Sequence, residues 1–244
     1  MPNGITLGAD PELIFVDEHG LVEASRYFER QNNHRGRNPE IGGDGHPATA
    51  ELRTPVCSTP KEVVDSIQDI LVRNYDQLPE NVSWVAGSFV EGKAIGGHIH
   101  FGIAPSDEIV AACDAIVAPV VILLEDEWGS RQRRASEYGN LGDIRKKQWG
   151  FEYRPLPSWL VSKQLALGVV ALAVAAVYEE AIGGKHSLRK LSSSNLRKIV
   201  DVDRHHFRYC EKDYFRKRFE DLYPHICQLQ YWRTEEGREL RRNM

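Results

Sequence analysis

Little in this chain would staple, anchor or charge it as a whole. Its four cysteines, Cys57, Cys113, Cys210 and Cys227, are scattered without CxxC spacing, and Met1 is followed by Pro2 and Asn3 rather than by the apolar stretch of a signal peptide. Reduced thiols and a cytoplasmic location are the expectation. Charge is nearly balanced, 31 Lys and Arg against 35 Asp and Glu, a net −4, so no global field recruits nucleic acid or an anionic membrane. No apolar run reaches the roughly 20 residues that cross a bilayer. The most apolar one, Leu165 to Tyr178, is closely flanked by Lys163 and Glu179 and reads as a buried core helix. Internal repeats and low-complexity tracts are lacking too. What remains is a chain of 244 residues, long enough for a main domain with its own core and an extension.

Alternation marks strands at Thr6 to Val16 and Thr49 to Thr54, with Pro11 suggesting that the first is an edge strand or bulged. Residues 19 to 47, rich in Gly, Asn, Arg and His, read as a long functional loop. Thr59-Pro60 caps a helix over 61–78, and Ser106 caps one over 106–128. Between them, Ser83 to Phe89 and Ile95 to Ile103 read as a hairpin turned at Glu91-Gly92-Lys93. An arginine-rich loop follows the second helix. A short strand over 150–155 and a buried helix over 159–182, ended by Gly183-Gly184, complete a domain of residues 1–183; residues 184–244 are expected to form a helical extension packed on it.

The chemistry lies in a repeated pattern. Asp10 and Glu12, Glu51 and Arg53, His98 and His100, Glu152 and Arg154 each stand two residues apart on a predicted strand, so each pair shares a face. A solvated sheet face ordinarily carries Thr, Ser and Lys; carboxylate, imidazole and guanidinium recurring there instead point to a cavity. Three or more carboxylates and an imidazole would repel or titrate without cations, and hard oxygen ligands favour Mg²⁺ or Mn²⁺. Arg131, Arg133, Arg134 and Arg145 precede the last strand, where guanidinium groups are expected to clamp phosphate oxygens.

The runs GADPELIF, AELRTP, GGHIHFG and GFEYRPLPSW, in this order over residues 6 to 160, resemble the phage-type branch of the COOH-NH2 ligase superfamily, which includes glutamine synthetase and glutamate–cysteine ligase. The resemblance implies an α+β fold whose curved, mostly antiparallel sheet of glutamine-synthetase-like type is backed by helices. It also implies an ATP- and Mg²⁺-dependent ligase that joins a carboxylate to an amine through an acyl phosphate. Glu12 and Glu51 match the metal-holding carboxylates, Asp10 stands where the first Glu is usual, and His98 matches the metal-ligating histidine. His100 matches the following position near phosphate, and Glu152 and Arg154 match the late ExR pair, metal ligand and phosphate contact. With these go Arg131 and Arg134 as catalytic phosphate clamps and Arg53 and Arg145 as nucleotide contacts. A small molecule or peptide bearing the carboxylate, and an amine, are the implied partners; a homo-oligomer stays open.

Two rivals remain from the residues alone. His98, His100 and Glu152 around zinc or iron would suit a metal-dependent hydrolase, and a non-catalytic protein binding nucleotide or peptide would keep the fold without turnover. Basic and aromatic residues beyond 184 alternate with acids, which favours solvated helices over nucleic-acid binding.

Overall fold

A computed structural model describes residues 4–28, 40–43, 46–181 and 203–243. Its organising element is β1 (Leu7–Asp17), whose 11 residues pair with four other strands. The first half of β1 lies against β8 (Gly97–Phe101), its middle against β4 (Thr49–Leu52), and its end against β2 (Gly20–Val22) and β5 (Ser83–Val85). Beyond β4 lies β3 (Ile41–Gly43); beyond β8 lie β10 (Gly150–Tyr153) and β9 (Ile144–Lys147). The result is an eight-stranded sheet in the order β3-β4-β1-β8-β10-β9, with antiparallel pairing throughout.

Pro11 therefore sits in a central strand and not at an edge, a correction with a local cause. Amide directions alternate along a strand. Ala9 N–H and C=O face Thr54, while Glu12 N–H donates to Gly96 C=O on the β8 side. The missing N–H of Pro11 thus points toward β4, in the stretch between Thr54 and the start of the Glu12–Glu51 pairing, and costs the β8 ladder nothing. The expected hairpin is also rearranged. Glu91-Gly92 does turn the chain, but it joins the short ribbon β6 (Phe89–Val90) and β7 (Lys93–Ala94), while β5 and β8 each pair with β1.

Helices α1 (Pro60–Asn74), α2 (Asp107–Leu124) and α4 (Lys163–Ala181) cover one face of the sheet. Thr59 and Ser106 cap the first two as their sequences imply, each hydroxyl accepting from an N–H three residues on. Leu13 and Phe15 of β1, Ile99 and Phe101 of β8, and Phe151 and Tyr153 of β10 project into this layer and are buried there; full burial of such side chains contributes about 1.5–3 kcal/mol each. By length and composition α4 alone among the described residues is apolar enough to cross a membrane, and it lies in this core, against α1 and α2. Within the same layer α2 also buries a carboxyl: Asp114, 2 % exposed, accepts a 2.9 Å bond from the Tyr153 hydroxyl under β10.

The arginine-rich stretch is a helix, α3 (Glu127–Ala135), not a loop; Asp126 caps it, its carboxylate accepting from Gly129 N–H. Helices α5 (Lys212–Ile226) and α6 (Glu235–Asn243), joined by a 3-10 turn at Gln230–Arg233, form the C-terminal part. It packs on α2 and α4, and Gln230 N–H donates to the buried Glu179 carboxylate of α4. The expected 19–47 loop is corrected where it is described, since it carries β2, a 3-10 turn at Ala24–Arg26 and β3. Residues 29–39 and 44–45, the Gly183-Gly184 stop, the 183/184 boundary and the helix near 195–200 lie outside the described residues. All four cysteines are unpaired.

Candidate metal and phosphate site

The antiparallel register turns the four sequence pairs into one patch. Asp10 stands opposite His98, Glu152 opposite both His100 and Arg145, and Glu12 opposite Glu51. All lie on the face away from the helices, yet Glu12, His98 and Glu152 are each 3 % exposed and Asp10 8 %. One ligand atom each from Asp10, His100 and Glu152 lies within 4.8 Å of the others.

Asp10 is the hinge of the cluster, with His98 Nδ1 3.0 Å from one carboxylate oxygen and His100 Nε2 3.1 Å from the other. Burial alone would raise its pKa, but the two imidazoles outweigh burial and hold the carboxyl well below the usual range. These contacts are close enough for attraction but poorly aligned for hydrogen bonding. Asp10 Oδ1, both His98 nitrogens, His100 Nε2 and Glu152 Oε2 are all buried without a hydrogen-bond partner. Buried polar atoms are rarely left so. Oxygen and imidazole lone pairs converging in this way fit a divalent cation of the Mg²⁺ or Mn²⁺ type.

Around the carboxylates stand cations. Glu152 is approached by Arg145 at 3.1 Å, Lys147 at 2.7 Å and Arg154 at 3.7 Å, and Arg53 pairs with Glu51 at 2.7 Å. Arg53 Nη1 and Arg154 Nη1 are buried donors without an acceptor, as expected of groups arranged for an anion. Glu12 is fixed by the Gly96 N–H and by the Tyr138 hydroxyl at 3.4 Å. The glycines of GGHIHFG are steric requirements. A Cβ at Gly96 would lie 2.8 Å from His98 Nε2, and one at Gly97 would lie 2.5 Å from Trp159 Nε1, which donates to the Gly97 carbonyl.

Arg131 and Arg134 are not part of this patch, and for them the expectation of a phosphate clamp is corrected. The Arg134 guanidinium is buried in a bidentate pair with Glu125 at 2.8 and 2.9 Å, beneath the Phe207 ring. Arg131 is exposed, paired with Glu127 and donating to the Tyr209 carbonyl. Helical geometry turns both toward α2 and the C-terminal part. Sequence reasoning also missed residues that are present. Lys147 follows Arg145 by two and was open to the same period-two rule; Trp149, on the β9–β10 turn 5.4 Å from His100, was signalled by its place next to Gly150; Tyr138 had no spacing signal. Trp149 and His100 border a cavity of about 250 Å³ with Thr6, Gly8, Thr54 and Val56.

A buried carboxylate–imidazole cluster ringed by cations on an antiparallel sheet is a site whose residues could hold a divalent cation beside an anion. The family model described as phage phiEco32-like COOH.NH2 ligase-type 2 matches residues 7–241, and the chain belongs to that family, one of carboxylate–amine ligases by its description. Comparison with curated proteins gives no match. Among solved structures, a bifunctional glutathione synthetase from Pasteurella multocida matches with 14 % identity and a TM-score of 0.44, over 98 % of this chain and 49 % of that one. The chain spans about half the length of that protein.

Proposed function

We propose that the protein is an ATP- and Mg²⁺-dependent ligase that joins a carboxylate to an amine through an acyl phosphate, on a sheet of glutamine-synthetase-like type. The observation that carries this reading is the convergence of Asp10, His100 and Glu152 within 4.8 Å inside a ring of cations. Mn²⁺ is an acceptable substitute for Mg²⁺ at such oxygen and imidazole ligands.

In this reading Asp10, His100 and Glu152, with Glu12, Glu51 and His98 around them, would hold the metal, which would supply positive charge against the phosphates. The 250 Å³ cavity bordered by Trp149, Thr6, Gly8 and Thr54 would take the adenine ring. Arg145, Lys147 and Arg154, grouped around Glu152, would bind the γ-phosphoryl oxygens. The substrate carboxylate oxygen attacks the γ-phosphorus as the bond to ADP breaks. An amine nitrogen then attacks the acyl carbon, phosphate leaves with the C–O bonding pair, and the nitrogen gives up a proton. Arg53, with a free buried N–H beside Glu51, is placed to orient the incoming carboxylate.

Residues 1–183 carry this chemistry as one domain and 184–244 form a separate extension, of which the described helices α5 and α6 pack against α2 and α4, in a cytoplasmic protein as its unpaired thiols suggest. The substrate is a small molecule or peptide that bears a carboxylate. Hydroxylamine tests the reading, because as a surrogate amine it converts an acyl phosphate into a coloured hydroxamate. A panel of amino acids, dipeptides and dicarboxylates with MgATP should yield hydroxamate and ADP together, and Glu152→Gln should yield neither. Metal-dependent hydrolysis of amides without ATP would assign the protein to the hydrolases instead.

A further inference from the structure

We infer that Arg133 is a positioning residue for the metal cluster: its buried guanidinium ties the start of β8 to the chain leaving β10 and so sets where Glu12 and His98 stand relative to Glu152 and Arg154. For the identity of the cluster's ligand, the inference rests on the reading above.

Arg133 is wholly buried and its acceptors are backbone carbonyls. Nε donates to Ile95 at 2.9 Å, Nη1 to Pro155 at 2.8 Å, and Nη2 to Leu156 at 2.8 Å with a longer approach to Arg154 at 3.5 Å. Ile95 leads directly into Gly96, whose N–H holds the Glu12 carboxylate and whose C=O accepts from Glu12 N–H. Leu156 C=O also accepts from Gly97 N–H, one residue before His98. Arg154 and Glu152 lie just upstream of the other carbonyls. One planar fork therefore spans both strand ends that carry the ligands. A lysine, with a compact ammonium, lacks the rigid fork that reaches them all at once.

The surroundings are built to this cation. Tyr138, whose hydroxyl reaches Glu12, covers the guanidinium at 5.0 Å. Gly139, at φ +71°, leaves the space in which the guanidinium lies; a Cβ there would overlap it. Burial pulls the Arg133 pKa down to about 10, against the pull of Glu125 and Glu12, so the group stays charged at neutral pH. A cation kept in the interior without a carboxylate bonded to it is an expensive way to brace a loop. It is better explained by the acidic cluster that Tyr138 and Gly96 connect to it.

The test compares wild type with Arg133→Lys, and with Gly139→Ala, which displaces the guanidinium from the other side. Two readouts serve: Mn²⁺ affinity from the free-ion electron paramagnetic resonance signal, and the ¹⁵N shifts of the His98 and His100 imidazoles in metal-free protein. Loss of a group that orients metal ligands typically lowers affinity by about 10–100-fold, and that loss is expected in both variants, with the imidazole shifts moved. Added guanidinium ion should restore part of the affinity to Arg133→Ala. Folded variants with wild-type Mn²⁺ affinity and unmoved imidazoles would reduce Arg133 to a structural brace. Should wild type itself bind no Mn²⁺, the metal reading fails, and the imidazole shifts alone decide the role of Arg133: moved supports it, unmoved overturns it.

Discussion

Asp114 makes the stability of this protein depend on pH in a direction opposite to that of a salt-bridged carboxylate. Burial pushes its pKa from 3.8 up to about 7, against the Tyr153 hydroxyl, Arg204 and the Gly142 N–H, while Asp203 adds to the rise. The folded state thus holds this proton over a range in which the unfolded chain has released it. Stability from this group is fully present below about pH 4 and is lost as pH climbs to about 7, where the loss levels off. A shift of about three units at about 1.36 kcal/mol each amounts to about 4 kcal/mol, of which about 3 kcal/mol falls between pH 5 and pH 8. Asp114→Asn keeps an oxygen for Tyr153 and removes the ionisation, so urea unfolding at these two pH values should show the variant gaining about 3 kcal/mol on wild type at the higher one. Parallel pH dependence in the two proteins would refute the reasoning.

Other predictions follow from the same contacts. Arg134→Met leaves Glu125 buried and unpaired, which should cost about 3–5 kcal/mol in urea unfolding, and adding Glu125→Gln should recover most of it. Trp149→Ala should weaken binding of an ATP analogue by about 1–3 kcal/mol, the worth of stacking a base on an aromatic ring, while calorimetric Mn²⁺ binding stays at the wild-type value. Asp10→Asn removes the charge that both histidines face and should abolish Mn²⁺ binding with the circular dichroism spectrum unchanged; retained affinity would move the metal elsewhere.

Where the sequence was informative, one rule carried it. Alternation put Asp10 with Glu12 and His98 with His100 on shared faces, and antiparallel pairing then brought the pairs together, Asp10 opposite His98 and Glu152 opposite His100. Local rules also located the helix starts at Thr59 and Ser106. Partner choice was not legible from a single strand, which is why Pro11 suggested an edge and why β5 and β8 looked like each other's neighbours. The Asp126 cap that makes 127–135 a helix falls inside the 106–128 stretch whose apolar pattern reads as one helix, which hides the break at Glu125. Arg133, Arg134 and Tyr138 depend on contacts with Ile95, Glu125, Phe207 and Glu12. Such long-range contacts leave no periodic trace.

The central claim is a metal-assembled nucleotide site on the polar face of the sheet. Calorimetric titration of the purified protein with a nonhydrolysable ATP analogue, with and without Mg²⁺, and again on Glu152→Gln, tests it most directly. The account predicts binding that requires Mg²⁺ and is lost or strongly weakened in the variant, whereas no binding, or binding indifferent to both Mg²⁺ and Glu152, would contradict it.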